Sequence, residues 1–173
     1  MIIHAINYCP QCGCKLEQQE RFGRLRPTCL QCNWVYFADP RVAVAVIVER
    51  ENQILLVRRV FEQEKGLWTL PAGFVDAGED PIVAAERECS EETGLQVKVS
   101  GLLDVVYGLE HPRGAHILIV YCADILGGEL KPADDVDMVG FFSRNELPPL
   151  AFKTTRKILS NTKVLKKYYT EEK

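Results

Sequence analysis

Two cysteine pairs, Cys9-Pro-Gln-Cys12 and, after sixteen intervening residues, Cys29-Leu-Gln-Cys32, constrain the start of this chain more tightly than any apolar pattern in it. Each CxxC can present two thiolates on one tight turn, and two such turns together supply the tetrahedral sulfur set that zinc prefers. Gly13 suits a turn that needs positive φ, and Asn33 stands in the same place after the second pair, where asparagine is the next most tolerant residue. A single CxxC would be the redox signature; the second pair, with its own turn residue, points to a structural zinc on Cys9, Cys12, Cys29 and Cys32. Cys14 is a surplus sulfur that could exchange as a ligand, although Cys12 fits the paired spacing better. The intervening KLEQQERFGRLRPT is polar, with room for a small hairpin around Phe22-Gly23. Such a piece cannot bury enough apolar surface to fold unaided, so metal binding would supply much of its stability. Lys15, Arg21, Arg24 and Arg26 against Glu17 and Glu20 leave +2, and zinc with four thiolates contributes about −2. A bracing or dimer-forming ribbon is therefore favoured over a nucleic-acid reader.

A chain of 173 residues suits one medium domain carrying such an appendage, divided here as ribbon and linker over 1–36 and main domain over 37–173. The net charge of −3 and pI near 5.7 argue against a general nucleic-acid-binding surface. No run approaches eighteen apolar residues, and MIIHAINYCP lacks the basic flank and apolar core of a signal peptide, so no membrane partner and a cytoplasmic location are expected. In that reducing compartment seven cysteines need a role other than disulfides.

In the main domain, Val42–Val48 is continuous enough for a buried strand, and Ile54–Arg59 reads as its antiparallel partner across a polar turn. Arg58 and Arg59 end that partner; adjacent strand residues face opposite ways, so at most one should point into a ligand cleft. After LWTLPAGF comes the stretch GFVDAGEDPIVAAERECSEETGL, with seven acids and Arg87 as its lone base. Asp80 followed by Pro81 predicts a helix start, and Gly94 a stop after Thr93. Ala85 and Cys89, with Ile82 as another candidate, mark its packing side; Cys89 reads as a small buried apolar residue. Glu88, Glu91 and Glu92 stand at i, i+3 and i+4, so their carboxylates project close together. Without a cation they would destabilise the helix, whereas oxygen-rich ligation suits magnesium or manganese. Glu86 projects elsewhere and is expected to be solvated. Arg87 could pin Glu79 by a bidentate pair, holding the preceding loop against the helix.

Gly73, then Glu79, then Arg87-Glu88-Cys89-Ser90-Glu91-Glu92-Thr93-Gly94-Leu95 resembles the complete box of the Nudix hydrolases. The paired-cysteine ribbon, YFADPR, GLWTLPAGF and LAFKTTR extend the resemblance to the zinc-ribbon-bearing branch of that family, whose members include ADP-ribose, FAD and NADH pyrophosphatases. The resemblance implies an α/β/α sandwich around a mixed sheet, cleavage of a nucleoside diphosphate linked to another moiety, and a homodimer. Residue by residue, Glu88 and Glu92 match the principal metal-binding glutamates and Glu91 a further metal or base position. Glu79 is a ligand or an orienting partner of Arg87, and the Ala72 carbonyl is a further candidate ligand. ADP-ribose and FAD lead as substrates, with NAD(H) behind. The alternatives are a nucleotide-binding regulatory module without hydrolysis and a nucleoside triphosphate pyrophosphohydrolase.

Beyond the box, VKVSGLLDVVYG and AHILIVYCADI read as strands, with Cys122 a core or half-buried thiol. His111 and His116 flank PRGA in a loop from which either could contact substrate. YGLEHPRGAHI does not reproduce the aromatic- and proline-rich segment of NADH-directed relatives, and Pro112 is a weak pointer toward ADP-ribose. Asp134, Asp135 and Asp137 fall where relatives often carry glutamates near the catalytic centre. Ser143 and Glu146 have capping-box spacing, and AFKTTRKILSNTKVLKKYY reads as a terminal helix with Phe152, Thr155 and Leu159 as candidates for its inward face.

Overall fold

The computed structural model describes residues 6–60, 64–108, 110 and 115–160. It divides the chain into two units, Met1–Pro40 and Arg41–Lys173. His111, Pro112 and the part of the expected terminal helix beyond Ser160 lie outside the described residues, as does the side chain of His116.

In the first unit, β1 (Glu17–Arg21) pairs antiparallel with β2 (Arg24–Thr28) through a two-residue turn. Phe22 and Gly23 both take positive φ there, 51° and 72°, as the turn type that matches strand twist requires. Among the described residues the unit's buried apolar cluster is Cys9, Leu16 and Cys29, with Ile6 and Trp34 against it. Phe37 belongs with this unit: its ring lies 5.6 Å from Phe22, and the Arg26 guanidinium sits 4.5 Å above it.

In the second unit, β3 (Arg41–Arg50) and β4 (Gln53–Arg59) form a hairpin turning at Glu51 and Asn52, again both at positive φ. The hairpin splits after two pairs, Glu49↔Ile54 and Arg50↔Gln53. The segment holding β5 (Trp68–Thr69) and β6 (Ala72–Phe74) fills the opening, β5 pairing with β4 and β6 with β3. On its other edge β3 runs parallel to β8 (Ala115–Gly128), which pairs antiparallel with β7 (Leu95–Tyr107); β9 (Val136–Ser143) pairs with β4. The described strands thus make a seven-stranded mixed sheet, with helices α1 (Pro81–Thr93) and α2 (Lys153–Ser160).

Val42–Val48 reads as one apolar run because both faces of β3 are covered. Val44, Val46 and Val48 pack with Ala84, Ala85 and Cys89 of α1, while Ala45 and Ile47 pack in a second cluster with Ile158 and Leu159 of α2. Burial in α1 begins with Ala84 and Ala85, and Ile82 is exposed, against the expectation that it packs inward. Thr155 and Leu159 are buried as expected, Thr155 bonding Thr69 at 3.2 Å, whereas Phe152 is only half-buried. Ser143 and Glu146 close a brief turn, the Glu146 N–H bonding the Ser143 carbonyl. Among the described residues no helix is long and apolar enough to cross a membrane.

Candidate active site and cysteine centre

The cysteine turns form as the spacing predicts. Gly13 N–H bonds the Cys9 carbonyl and Asn33 N–H the Cys29 carbonyl, each at 2.9 Å, with φ of 72° and 60° at the turn residues. These turns bring Cys9 to 3.5 Å from Cys32 and Cys12 to 3.4 Å from Cys29, sulfur to sulfur. Four sulfurs about 2.3 Å from a central zinc stand about 3.8 Å apart, so the set is close to tetrahedral scale. The protons are shared unevenly in the set: the Cys32 backbone N–H is the main influence holding the Cys29 thiol down to about 7, while Cys12, bonded to the Cys29 sulfur, and Cys32 are pushed up. Cys14 is outside the cluster and exposed.

The acidic helix is pinned at both ends by local chemistry. Asp80 accepts a 2.7 Å bond from the Ile82 N–H, Pro81 has no N–H to need an acceptor, and Gly94 stops the helix at φ 71°, its N–H bonded to the Ser90 carbonyl. On this frame every N–H of Arg87 is used. Nε and Nη2 hold the two oxygens of Glu79 at 2.8 and 2.9 Å, and Nη2 also reaches the Phe74 carbonyl. Nη1 spans Glu88 Oε1 at 2.8 Å and Glu91 Oε2 at 3.0 Å. Glu79, which also accepts from the Asp76 N–H, is held down to about 2 chiefly by Arg87.

Glu88 and Glu92 behave in the opposite way. Burial pushes the Glu88 carboxyl up despite Arg87, and it pushes Glu92 well above the usual range, with the charge of Asp135 adding to the effect. Glu92 Oε2 accepts from the Ala72 N–H at 3.0 Å. The Glu88 carboxylate lies so close over Gly73 that a Cβ there would overlap it. Two carboxyls that are costly to ionise, set beside a bare glycine backbone, make a donor set a divalent cation would fit. Among the described residues the cysteines alone have three or more donor atoms mutually within 4.8 Å; Glu88 and Glu91 are bridged by Arg87 instead. Glu91 is the solvent-facing member, its side chain 48% exposed against 13% for Glu88.

Gly73→Ala should lower turnover at least ~10-fold, because the Glu88 carboxylate must shift to admit the methyl. The backbone at residue 73 is ordinary strand, so circular dichroism and melting should stay near wild type. A fully active variant would show that Glu88 need not lie against this backbone.

The expected loop acids separate in space. Asp135 acts on Glu92 and Asp134 on Glu88, whereas Asp137 turns away to take both oxygens of a bidentate pair with Arg58, at 2.8 and 2.9 Å. Glu86 is not simply solvated: it accepts from the Val99 N–H at 2.9 Å and pairs with Lys98, tying α1 to β7. Glu110 was missed by sequence reasoning. Its carboxylate caps α2 by accepting from the N–H groups of Lys153 and Thr154, forty-odd residues away, and no spacing signal could have announced it.

The NUDIX domain family matches residues 39–162. The chain belongs to the Nudix hydrolase family. It is 47% identical over 117 residues to an ADP-ribose pyrophosphatase of Methanocaldococcus jannaschii, covering 67% of this chain and 69% of that protein. To an NAD-capped RNA hydrolase NudC of Vibrio parahaemolyticus it is 31% identical over 151 residues, 85% of this chain and 55% of the relative. The chain therefore spans little more than half the length of that second relative. A crystal structure of a NUDIX hydrolase from Nitrosomonas europaea superposes with a TM-score of 0.82 at 28% identity, covering 95% of this chain and 94% of that one. Its coverage takes in the cysteine unit as well as the Nudix domain.

Proposed function

We propose that this Nudix protein hydrolyses the pyrophosphate bond of a nucleoside diphosphate joined to another moiety, with ADP-ribose the leading substrate, FAD next and NAD(H) behind. The observation that carries the reading is the acidic edge, where the half-buried Glu88 lies against a backbone that has no side chain at Gly73 and the buried Glu92 takes the N–H of the preceding residue, Ala72. The similarity to the archaeal ADP-ribose pyrophosphatase supports placing that substrate first.

Magnesium or manganese would be held by Glu88 and Glu92, with Glu91 and the Ala72 carbonyl as further donors. When bound, the cation polarises phosphoryl oxygens and offsets charge on the departing phosphate. The protein's own contribution is alignment. Glu79 and the Phe74 carbonyl fix Arg87, and Arg87 in turn sets the rotamers of Glu88 and Glu91. The Ala72 N–H occupies one oxygen of Glu92 and directs the carboxylate at the edge. Glu91, whose side chain has solvent access, would serve as a further ligand or accept the proton of an attacking water. Zinc on the four cysteines would be structural. A cytoplasmic location suits thiols that must stay reduced, and the resemblance to the ribbon-bearing branch supports a homodimer.

A product-resolved panel of ADP-ribose, FAD, NADH, coenzyme A, diadenosine polyphosphates and nucleoside triphosphates, each with magnesium or manganese, tests the proposal. AMP and ribose 5-phosphate from ADP-ribose is the expected result. Nucleotide binding without turnover would favour a regulatory module, and preferred release of inorganic pyrophosphate from triphosphates would move the substrate class.

A further inference from the structure

Helix α1 reaches along only the first part of the strand that follows it. Both elements have 13 residues, but a helix of that length rises about 20 Å and a strand of that length about 43 Å. β7 leaves α1 at Gly94 and runs back along it, with the Val99 N–H on Glu86 and Lys98 paired to the same carboxylate. The helix is spent near Leu102. That residue stands opposite Tyr121, whose phenol is raised by burial and then by the charge of Asp80, the cap that opens α1. From here Leu102, Val105 and Tyr107 oppose Tyr121, Ile119 and Ile117 of β8 in turn, and directly opposed residues share a face. It is the α1 face, because Ile119 and Tyr121 pack in the cluster that holds Ala84 and Ala85.

Leu102, Val105 and Tyr107 are 52%, 56% and 68% exposed. The flank of α1 beside them is apolar too: Ile82 and Val83, four and three residues before Glu86, lie on the β7 side of the helix and are also exposed. These five side chains form a step, a helix flank rising from a sheet floor. They present roughly 500 Å² of apolar surface, near the upper end for a patch on a monomer and more than half of the ~800 Å² one partner gives to a stable interface. The charges bordering the step, Glu86 and Lys98, are paired with each other. Asp104 stands opposite Val120 and so on the other face, its Oδ1 taken by the Val105 N–H at 2.8 Å. A neutral step of this kind does not suit a nucleic acid or an acidic peptide, which need cationic groups. Nor does the β7 edge invite an added strand: the N–H groups of Val99 and Val105 are occupied by side chains, and pairing slips twice between those residues. A partner therefore meets the face. A ridge beside a floor is self-complementary about a two-fold axis, the helix flank of each copy lying on the floor of the other.

We propose that the step formed by Ile82 and Val83 with Leu102, Val105 and Tyr107 is a homodimer interface, occupied by the same step of a second copy. This rests on the homodimer reading and gives that dimer its place on the fold. The test is sedimentation velocity on the full-length, zinc-containing protein across a dilution series. Val105→Glu and, separately, Val83→Glu should each raise the dimer Kd at least ~100-fold, because a carboxylate would be buried among apolar groups without a partner. Leu126→Glu, at an exposed apolar residue of β8 outside the step, should leave the Kd within about 2-fold. Circular dichroism and zinc content should match wild type in all three, since each position is exposed in the single chain. Mixing Val83→Glu with Val105→Lys should restore a dimer that neither forms alone, as flank-to-floor contact requires; no recovery overturns that packing. A wild-type dimer that both charge variants keep, or that Leu126→Glu breaks equally, overturns this face and leaves the homodimer reading standing. A wild type that is monomeric at every concentration overturns the homodimer reading itself, and the second copy as occupant with it. If Val105→Glu does not fold, Val83→Glu is judged by the same Kd.

Discussion

Replacing Cys29 with serine, or stripping the metal with a strong chelator, should unfold the first unit while the core of the second stays folded. The buried cluster of that unit is two cysteines and Leu16, with Ile6 and Trp34 beside them, and both cysteines belong to the four-sulfur set. Removing the metal therefore removes the ligand field and also leaves the cluster's thiols with nothing to hold them together. Structural zinc contributes about 10–16 kcal/mol of apparent binding free energy in small cysteine and histidine modules, and in such modules that energy is the folding energy. The hairpin cannot replace it: a two-stranded ribbon is marginal in water. The second unit has two buried clusters on opposite faces of its sheet, neither of which includes a residue of the first. Hydrogen exchange should accordingly show full loss of protection over residues 6–40 and near-native protection in β3 and β8. One zinc per chain in the native protein, lost in the variant, completes the expectation. Persistent protection of the cysteine turns after the metal is removed would show that the ribbon folds by its own contacts.

Glu92→Gln should abolish turnover, by at least ~1,000-fold, and yet make the metal-free protein as stable or more stable at neutral pH. The first effect follows because a neutral amide cannot supply the charge that holds a divalent cation, and several kcal/mol of transition-state stabilisation corresponds to about three decades of rate. The second follows from the direction of the Glu92 shift. Its carboxyl is raised well above 4.5 in the folded protein, chiefly by burial and then by Asp135. As pH rises above the unfolded value, the unfolded chain gives up this proton before the folded one does, so the group's contribution turns against folding across that window. Below about pH 4 both states are protonated and the wild type carries no such cost. Glutamine mimics the protonated form and keeps an oxygen for the Ala72 N–H. Melting curves in chelator should therefore coincide near pH 4 and separate in favour of the variant toward pH 7. Magnesium should reverse the order by stabilising the wild type more, through mass action on the folded state. Retained turnover would remove Glu92 from the essential set, and a variant less stable at pH 7 in chelator would show that the carboxylate is compensated within the protein.

These two expectations draw on different kinds of legibility. The four cysteines and the borders of α1 were readable because both depend on spacings that backbone geometry fixes over a few residues: a CxxC turn with Gly13 or Asn33 after it, and a helix opened by Asp80-Pro81 and closed by Gly94. The Glu79–Arg87 pair was also within reach, since eight residues connect a turn to the first turns of the helix after it. Glu86 was misread because i, i+3 and i+4 spacing says which acids share a helix face but not what that face meets; β7 brings the Val99 N–H to it.

By itself, the sequence determined the cysteine centre, the helix with its clustered glutamates, and a strand apolar on both faces that required cover on each side. Those features are set by local backbone geometry and by the period of the apolar residues. Only the tertiary structure decided which carboxyls resist ionisation, why residue 73 has no room for a methyl, and which arginine of the pair at 58 and 59 is left with an unmet donor. Each of those answers depends on where distant segments cross: the split of the β3–β4 hairpin that admits Gly73 beneath Glu88, the loop that sets Asp135 against Glu92, and the bulge that turns Arg59 toward Phe152. Desolvation and close contact are properties of a position in the folded chain, and no local spacing encodes them.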